Sequence, residues 1–277
     1  KAAACGDRVA SVLSVKSTQK DGEKTPALDA PHGSVVFDGV SMRYAGAGTE
    51  SVSGVSFTAA PGSTVGIIGG TGSGKSTLVN LIPRFYDVTG GRVLVDGMDV
   101  RDIRKEELRR RIGVVPQKAM LFKGTIRSNL LWGNADATEA DLNDALKVAQ
   151  ALHVVSSKSK GLDEPVEQGG RNLPGGQRQR LTIARPLACK PEILILDDSA
   201  SALDYATDAN LRRAIRQMEN PPTTFIVSQR AASVRFADQI IVLDDGHVAG
   251  MGTHDELLAS CPVYQEIYAS QFKKEGK

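Results

Sequence analysis

Gly69-Gly70-Thr71-Gly72-Ser73-Gly74-Lys75-Ser76-Thr77 decides how this chain is read. It matches the phosphate-binding loop pattern G-x-x-x-x-G-K-[ST] at every fixed position. The glycines let a tight loop wrap a polyphosphate with its backbone N–H groups turned inward. Lys75 has the reach to meet the β- and γ-phosphates, and the Ser76 hydroxyl can ligate Mg²⁺. Ser63 to Ile68 reads as a buried strand running into the loop, and Leu78, Val79, Leu81 and Ile82 follow at helical spacing. The phosphates would then sit at a helix N-terminus. Gly70, Thr71, Gly72, Ser73, Gly74, Lys75, Ser76 and Thr77 are therefore the expected nucleotide-binding residues.

Composition narrows the rest. The chain has 277 residues, 41% hydrophobic and 24% charged, with a formal net charge of +2, which describes ordinary globular protein and makes no case for nucleic acid. Basic residues cluster at 101–105 and at Arg109-Arg110-Arg111. Acidic residues interleave the first cluster, so both read as a solvated helix face. Cys5, Cys189 and Cys261 lie far apart, without metal-ligand spacing, and argue against a disulfide framework or a zinc site. No apolar run reaches the roughly 18–20 residues needed to cross a bilayer, and no signal peptide opens the chain. The polypeptide by itself is expected to be soluble.

Residues 1–15 read as the end of a longer helix, with Val9, Val12 and Leu13 on one face and no cap before them. Ser17 to Gly33 is polar and aperiodic, a linker, so the folded body is expected from Ser34. The strands Val35-Val36-Phe37, Val55-Ser56-Phe57 and Val93-Leu94-Val95, with a tight turn at Asp96-Gly97, make the early part partly antiparallel. Residues from about 124 to 190 are helical in character, and Thr138 with Asp141 forms an acidic capping box. The apolar runs at 112–115, 193–196, 225–227 and 240–243 alternate with helices, which implies a parallel sheet covered on both faces. Thr253 to Phe272 reads as two helices broken at Pro262. The expected fold is α/β, a P-loop NTPase core with an N-terminal antiparallel β subdomain and an inserted α-helical subdomain.

Ile193-Leu194-Ile195-Leu196-Asp197-Asp198 is an apolar strand ending in two acids, where a metal–nucleotide ligand belongs in a parallel sheet. Asn172-Leu173-Pro174-Gly175-Gly176-Gln177-Arg178-Gln179-Arg180 resembles the L-S-G-G-Q signature of ABC transporter ATPases. Gln117 after a strand, Ser201-Ala202-Leu203-Asp204 after the acidic pair and Tyr44 before the phosphate loop match that family in order and spacing. The resemblance covers residues 34–270. The stretches 121–127 and 166–170 look like the exporter branch. The resemblance implies ATP and Mg²⁺ as ligands, with Tyr44 stacked on adenine and the metal held by Ser76, Gln117 and Asp197. Leu173, Pro174, Gly175, Gly176 and Gln177 would act in trans on a nucleotide held by a second ABC nucleotide-binding domain, with Asp204 at the interface. A transmembrane domain of the same polypeptide, with residues 1–33 as the end of its last helix plus a linker and 34–277 as the nucleotide-binding domain, and a place on the cytoplasmic face of the membrane are implied as well. Nucleic acid is not an expected partner.

Three positions depart from the family, and all bear on hydrolysis. The second acid is Asp198 where Glu, the general base, is usual. It is shorter by one methylene, about 1.5 Å of reach, when a base must come within roughly 2.6–3.2 Å of its proton donor. The switch His is replaced by Gln229, which can hydrogen-bond but cannot carry a proton. Pro174 stands for the signature Ser and lacks both hydroxyl and N–H. Pro186, in the helix after the signature, is expected to kink or end it. Asp198, Gln229 and Gln117 are thus the catalytic positions, and the first two suggest a degenerate site in a heterodimer that binds ATP and turns it over slowly. Two other readings stay open: a fully hydrolytic homodimer, and a soluble ABC ATPase outside transport.

Overall fold

The computed structural model describes residues 2–15, 17, 19–25, 32–199 and 202–272. Ser201 and the middle of the expected linker, 26–31, lie outside the described residues.

Helix α1 (Ala2–Leu13) bears out the apolar spacing at the start, though Val9, Val12 and Leu13 are all more than half exposed. Strands β1 (Val35–Met42) and β2 (Val52–Ala59) pair antiparallel. Strand β3 (Thr64–Gly69) leads through the phosphate loop into α2 (Lys75–Asn80). Strand β4 (Gly90–Val95) pairs antiparallel with β1, and Asp96-Gly97, both left-handed, turns it into β5 (Met98–Asp99). Next come α3 (Lys105–Arg110) and β6 (Ile112–Val115). The helical insertion comprises β7 (Gly124–Thr125), α4 (Ile126–Leu130), α5 (Glu139–Val148), α6 (Leu152–Ser156), β8 (Pro165–Val166) and α7 (Gly175–Leu187). The remainder alternates: β9 (Ile193–Asp197), α8 (Tyr205–Arg216), β10 (Thr223–Ser228), α9 (Ala231–Val234), β11 (Gln239–Asp244), β12 (His247–Gly252), α10 (His254–Ser260) and α11 (Pro262–Phe272).

The central sheet has the order β12-β11-β3-β10-β9-β6, parallel except for the edge strand β12. A second sheet, β2-β1-β4-β5, is antiparallel. The continuous apolar runs of the parallel strands are explained by cover on both faces. Leu194 and Leu196 of β9 join one core with the helical insertion, while Ile193 and Ile195 join the other with β1, β2, β4 and α2. Strand β12 was not expected from the sequence. As an edge strand its residues alternate exposed and half-exposed, so it carries no strong apolar alternation.

The local chemistry acts as its residues predict. Thr138 and Asp141 form a reciprocal capping box on α5, and Pro262 opens α11. Pro186 falls one residue before the end of α7, so the helix stops directly after it, as expected of a residue with no N–H to donate to the preceding turn. Its ring lies against Gly113 of β6, where an added Cβ would stand 2.9 Å from Pro186 Cβ. Pro174 is the N-cap of α7, with its carbonyl accepting from Arg178 N–H at 2.9 Å.

Candidate nucleotide site

Four neighbouring parallel strands end on one edge of the sheet, in the order β3, β10, β9, β6. The phosphate loop follows β3, Gln229 follows β10, Asp197 closes β9 with Asp198 directly after it, and Gln117 follows β6 by two residues. Residues scattered from 70 to 229 in sequence are thereby aligned along one edge, which is where ligands bind in open α/β sheets.

Gly74, at φ +94°, is the N-cap of α2, and an added Cβ there would stand 2.4 Å from the Ser51 carbonyl. Only glycine tolerates that combination of a left-handed backbone and close approach. Lys75, 8% exposed, folds back so that Nζ donates to the carbonyls of Gly69 (2.9 Å) and Gly70. Burial lowers its pKa, against the charges of Asp198 and Asp197. Ser76 Oγ donates to Asp197 Oδ1 at 3.0 Å, and Gln117 Nε2 donates to Asp198 Oδ2 at 3.1 Å. Asp198 itself is left-handed, at φ +46°, with its N–H donating to the Val227 carbonyl of β10.

The residues present fit Mg-ATP. Hydroxyl, carboxylate and amide oxygens of Ser76, Asp197 and Gln117 are hard donors of the kind magnesium takes. A Cβ built on Gly70 or on Gly175 would meet nothing within 4 Å, so both glycines leave room for a ligand to approach the backbone.

Burial pushes the Asp197 carboxyl above its ordinary range; the Ser76 hydroxyl opposes this, the neighbouring Asp198 charge adds to it and Lys75 opposes it. A raised folded-state pKa means that the ionised form costs stability above that pKa, a cost that disappears as pH falls through it. Asp197→Asn is therefore expected to raise the Tm of the nucleotide-free chain at neutral pH and to abolish the further rise on adding Mg-ATP. Differential scanning calorimetry reads both, and a lower Tm for the variant would contradict the burial argument.

Tyr44 packs edge-on against Tyr86, with ring centroids 5.0 Å apart, and its hydroxyl shares a hydrogen bond of 3.1 Å with Thr77 Oγ1 of the loop. The sequence pointed to the ring alone. Tyr44→Phe is accordingly expected to cost about 0.5–1.5 kcal/mol through the lost loop contact. Tyr44→Ala should cost more, since base–aromatic stacking is worth about 1–3 kcal/mol. Equal losses of ATP affinity in the two variants would assign the effect to the hydroxyl.

The signature residues belong elsewhere. Leu173 is buried, Pro174 and Gly175 are exposed, and Gly176 and Gln177 are half-buried. Among the described residues no hydrogen bond joins this segment to the phosphate loop. Gly176 does lie beside the Asp204 loop, since its Cβ would stand 3.8 Å from the Ala202 carbonyl. The Asp204 carboxylate caps α8, accepting from Thr207 N–H (2.9 Å) and Thr207 Oγ1 (2.7 Å), and these bonds hold its pKa below the ordinary range. Gln229 is exposed, and its carbonyl accepts from Gln271 Nε2 at 2.7 Å. Gln271 also accepts from Ala231 N–H, so α11 braces the segment after β10. A residue 42 positions away leaves no sequence signal for that role.

A phosphate loop ending a central strand, with paired acids ending another two strands away, defines a P-loop nucleotide-binding protein. Residues 52–201, more than half of the chain, match the ABC transporter family model. This chain belongs to that family. It is 45% identical over 276 residues to the uncharacterised ABC transporter ATP-binding protein YfiB of Bacillus subtilis, covering 100% of this chain and 48% of that one. It is 38% identical over 252 residues to a putative multidrug export ATP-binding/permease protein of Staphylococcus aureus, covering 91% of this chain and 44% of the relative. A bacterial Atm1-family ABC exporter with ATP bound superimposes with a TM-score of 0.89 at 35% identity, over 96% of this chain and 47% of that chain. The chain thus spans about half the length of these relatives. Its fold is that of an ABC exporter ATP-binding domain. Among the described residues no helix is long and apolar enough to cross a membrane.

Proposed function

We propose that this chain is the nucleotide-binding domain of an ABC exporter that binds Mg-ATP and closes head-to-tail with a second, non-identical ABC nucleotide-binding domain. Its own site turns ATP over slowly. Residues 1–33 join it to a transmembrane domain of the same polypeptide, and residues 34–277 form the ATPase domain on the cytoplasmic face. The exporter relatives, each about twice as long, support this reading.

The observation that carries the slow turnover is the short Asp198 side chain, 3.1 Å from the Gln117 amide, just past the end of β9 and beside the β10 strand that Gln229 follows. Lys75 and the loop N–H groups bind the phosphates, Tyr44 covers the adenine, and Ser76, Asp197 and Gln117 would hold the metal. A bound magnesium ion would neutralise charge on the phosphate oxygens. Asp198 would have to take the proton of the attacking water, with Gln229 supplying a hydrogen bond but no charge. Gly175 and Gly176 present the start of α7 to the partner's nucleotide, so Pro174 acts on the partner's site.

Isothermal titration with Mg-ATP should show binding by the isolated chain, and a phosphate-release assay should show very slow turnover. Hydrolysis at the rate of an ABC ATPase carrying both Glu and His would sink the degenerate-site reading and favour a competent homodimer.

A further inference from the structure

Residues 19–25 run along the folded body. Lys24 N–H donates to the Asp102 carbonyl (2.9 Å) and Arg104 N–H to the Lys24 carbonyl (3.0 Å), pairing Lys24 in parallel with Ile103. Gly22 approaches so closely that a Cβ would stand 2.3 Å from the Asp102 carbonyl. Asp21 Oδ1 accepts from Lys105 N–H at 2.9 Å. It thereby caps α3, whose own N-cap residue, Arg104, makes no side-chain capping bond. Lys105 Nζ returns a bond to the Gln19 carbonyl at 3.0 Å.

Two arginines connect this strap to the turn that closes α2. Arg84 is 3% exposed and left-handed, at φ +53°. Its guanidinium donates to Asp87 Oδ1 (2.7 Å), to the Arg101 carbonyl (3.1 Å) and, through Nη2, to the Lys20 carbonyl of the strap (2.8 Å). From α3, Arg109 donates to the carbonyls of Pro83 (3.1 Å) and Arg84 (3.0 Å). A non-glycine residue at positive φ persists only where its surroundings over-determine it, and here the strap supplies part of that constraint. Helix α2 has six residues, so it is about 9 Å long. One end is the phosphate loop and the other is this turn.

We infer that residues 19–25 are a positioning element for the nucleotide loop, holding the far end of α2 through Arg84 directly and through Asp21, α3 and Arg109. The inference rests on the loop being the ATP site. It makes the stretch leading to the proposed transmembrane domain a mechanical input to nucleotide affinity: strap seated, loop held; strap lifted, loop released.

The test uses the full chain. Gly22→Val drives the strap off Asp102, and Asp21→Ala removes the cap from α3, whereas Asp21→Asn keeps a capping oxygen. In nucleotide-free hydrogen exchange, the first two variants should speed exchange at Leu81, Ile82 and Arg84 about fivefold, the factor a lost helix cap carries. ATP titration should then show affinity falling about two- to fivefold, by the same loss. Asp21→Asn should match the parent in both measurements, a rescue that the loss of any surface contact would not produce. Released amides at Lys24 and Arg104 beside unchanged exchange at residues 81–84 would overturn the inference. So would continued protection of Lys24 and Arg104 in both variants, because the strap would then not depend on these contacts. Should Gly22→Val fail to fold, the two Asp21 variants decide it. Failure of the parent chain to bind ATP would defeat the functional reading instead, leaving the exchange result to judge the strap.

Discussion

Asp198→Glu combined with Gln229→His is expected to raise ATP hydrolysis at this site on the order of 10²–10⁴-fold, the range that general-base catalysis supplies. Each single repair leaves one defect standing. Asp198→Glu lengthens the side chain past its contact with Gln117 but leaves no imidazole on the γ-phosphate side. Gln229→His supplies that group while the water stays poorly activated. Asp198 follows β9 and Gln229 follows the neighbouring β10, with Val227 in register with Asp197, so the two residues lie at the same edge of the sheet. Groups acting as a unit are non-additive, and the double variant should exceed the product of the two single effects. The measurement needs a dimer that closes on ATP, because in the proposed arrangement a signature helix in trans completes the site. Pro174→Ser should leave this site unchanged and alter the partner's. A closed dimer in which the double variant is no faster than the parent would move the cause of slow turnover to the partner's signature.

Lys75→Ala is expected to weaken ATP binding by roughly ten- to a hundredfold. A charge-assisted hydrogen bond is worth about 1.5–3 kcal/mol, and each 1.4 kcal/mol is about tenfold. The ammonium also ties the carbonyls of Gly69 and Gly70 together, so the variant loses loop order as well as charge. Lys75→Arg keeps the charge but not the compact head, and a buried residue has little room for a planar guanidinium. It should therefore bind ATP more weakly than the parent. Titration calorimetry distinguishes these cases, and unchanged affinity in Lys75→Ala would remove this loop from the nucleotide site.

Much of the molecule was legible in the residues themselves. The phosphate loop, the apolar runs of β3, β9, β10 and β11, the Asp96-Gly97 turn, the Thr138 capping box and the break at Pro262 are each decided within a few residues. Backbone sterics, short-range hydrogen bonding and apolar periodicity act at that range. The departures at Asp198, Gln229 and Pro174 are likewise visible as residue types at fixed spacing from recognisable motifs.

Tertiary structure decided what depends on residues distant in sequence. Only the strand order β3-β10-β9-β6 brings the loop, Gln229, the paired acids and Gln117 to one edge. Only packing shows that the Tyr44 hydroxyl is held by Thr77, that Gln117 reaches Asp198, and that α11 braces Gln229 through Gln271. The stretch 19–25 reads as a linker because it is polar and aperiodic, yet it seats on the body largely through main-chain groups of Gln19, Lys20 and Lys24, which leave no mark on composition, with Asp21 and Gly22 adding a cap and a close approach that no periodic pattern announces. Strand β12 escapes notice for the same reason: an edge strand is held by main-chain pairing to β11, while its half-exposed side chains carry no apolar pattern.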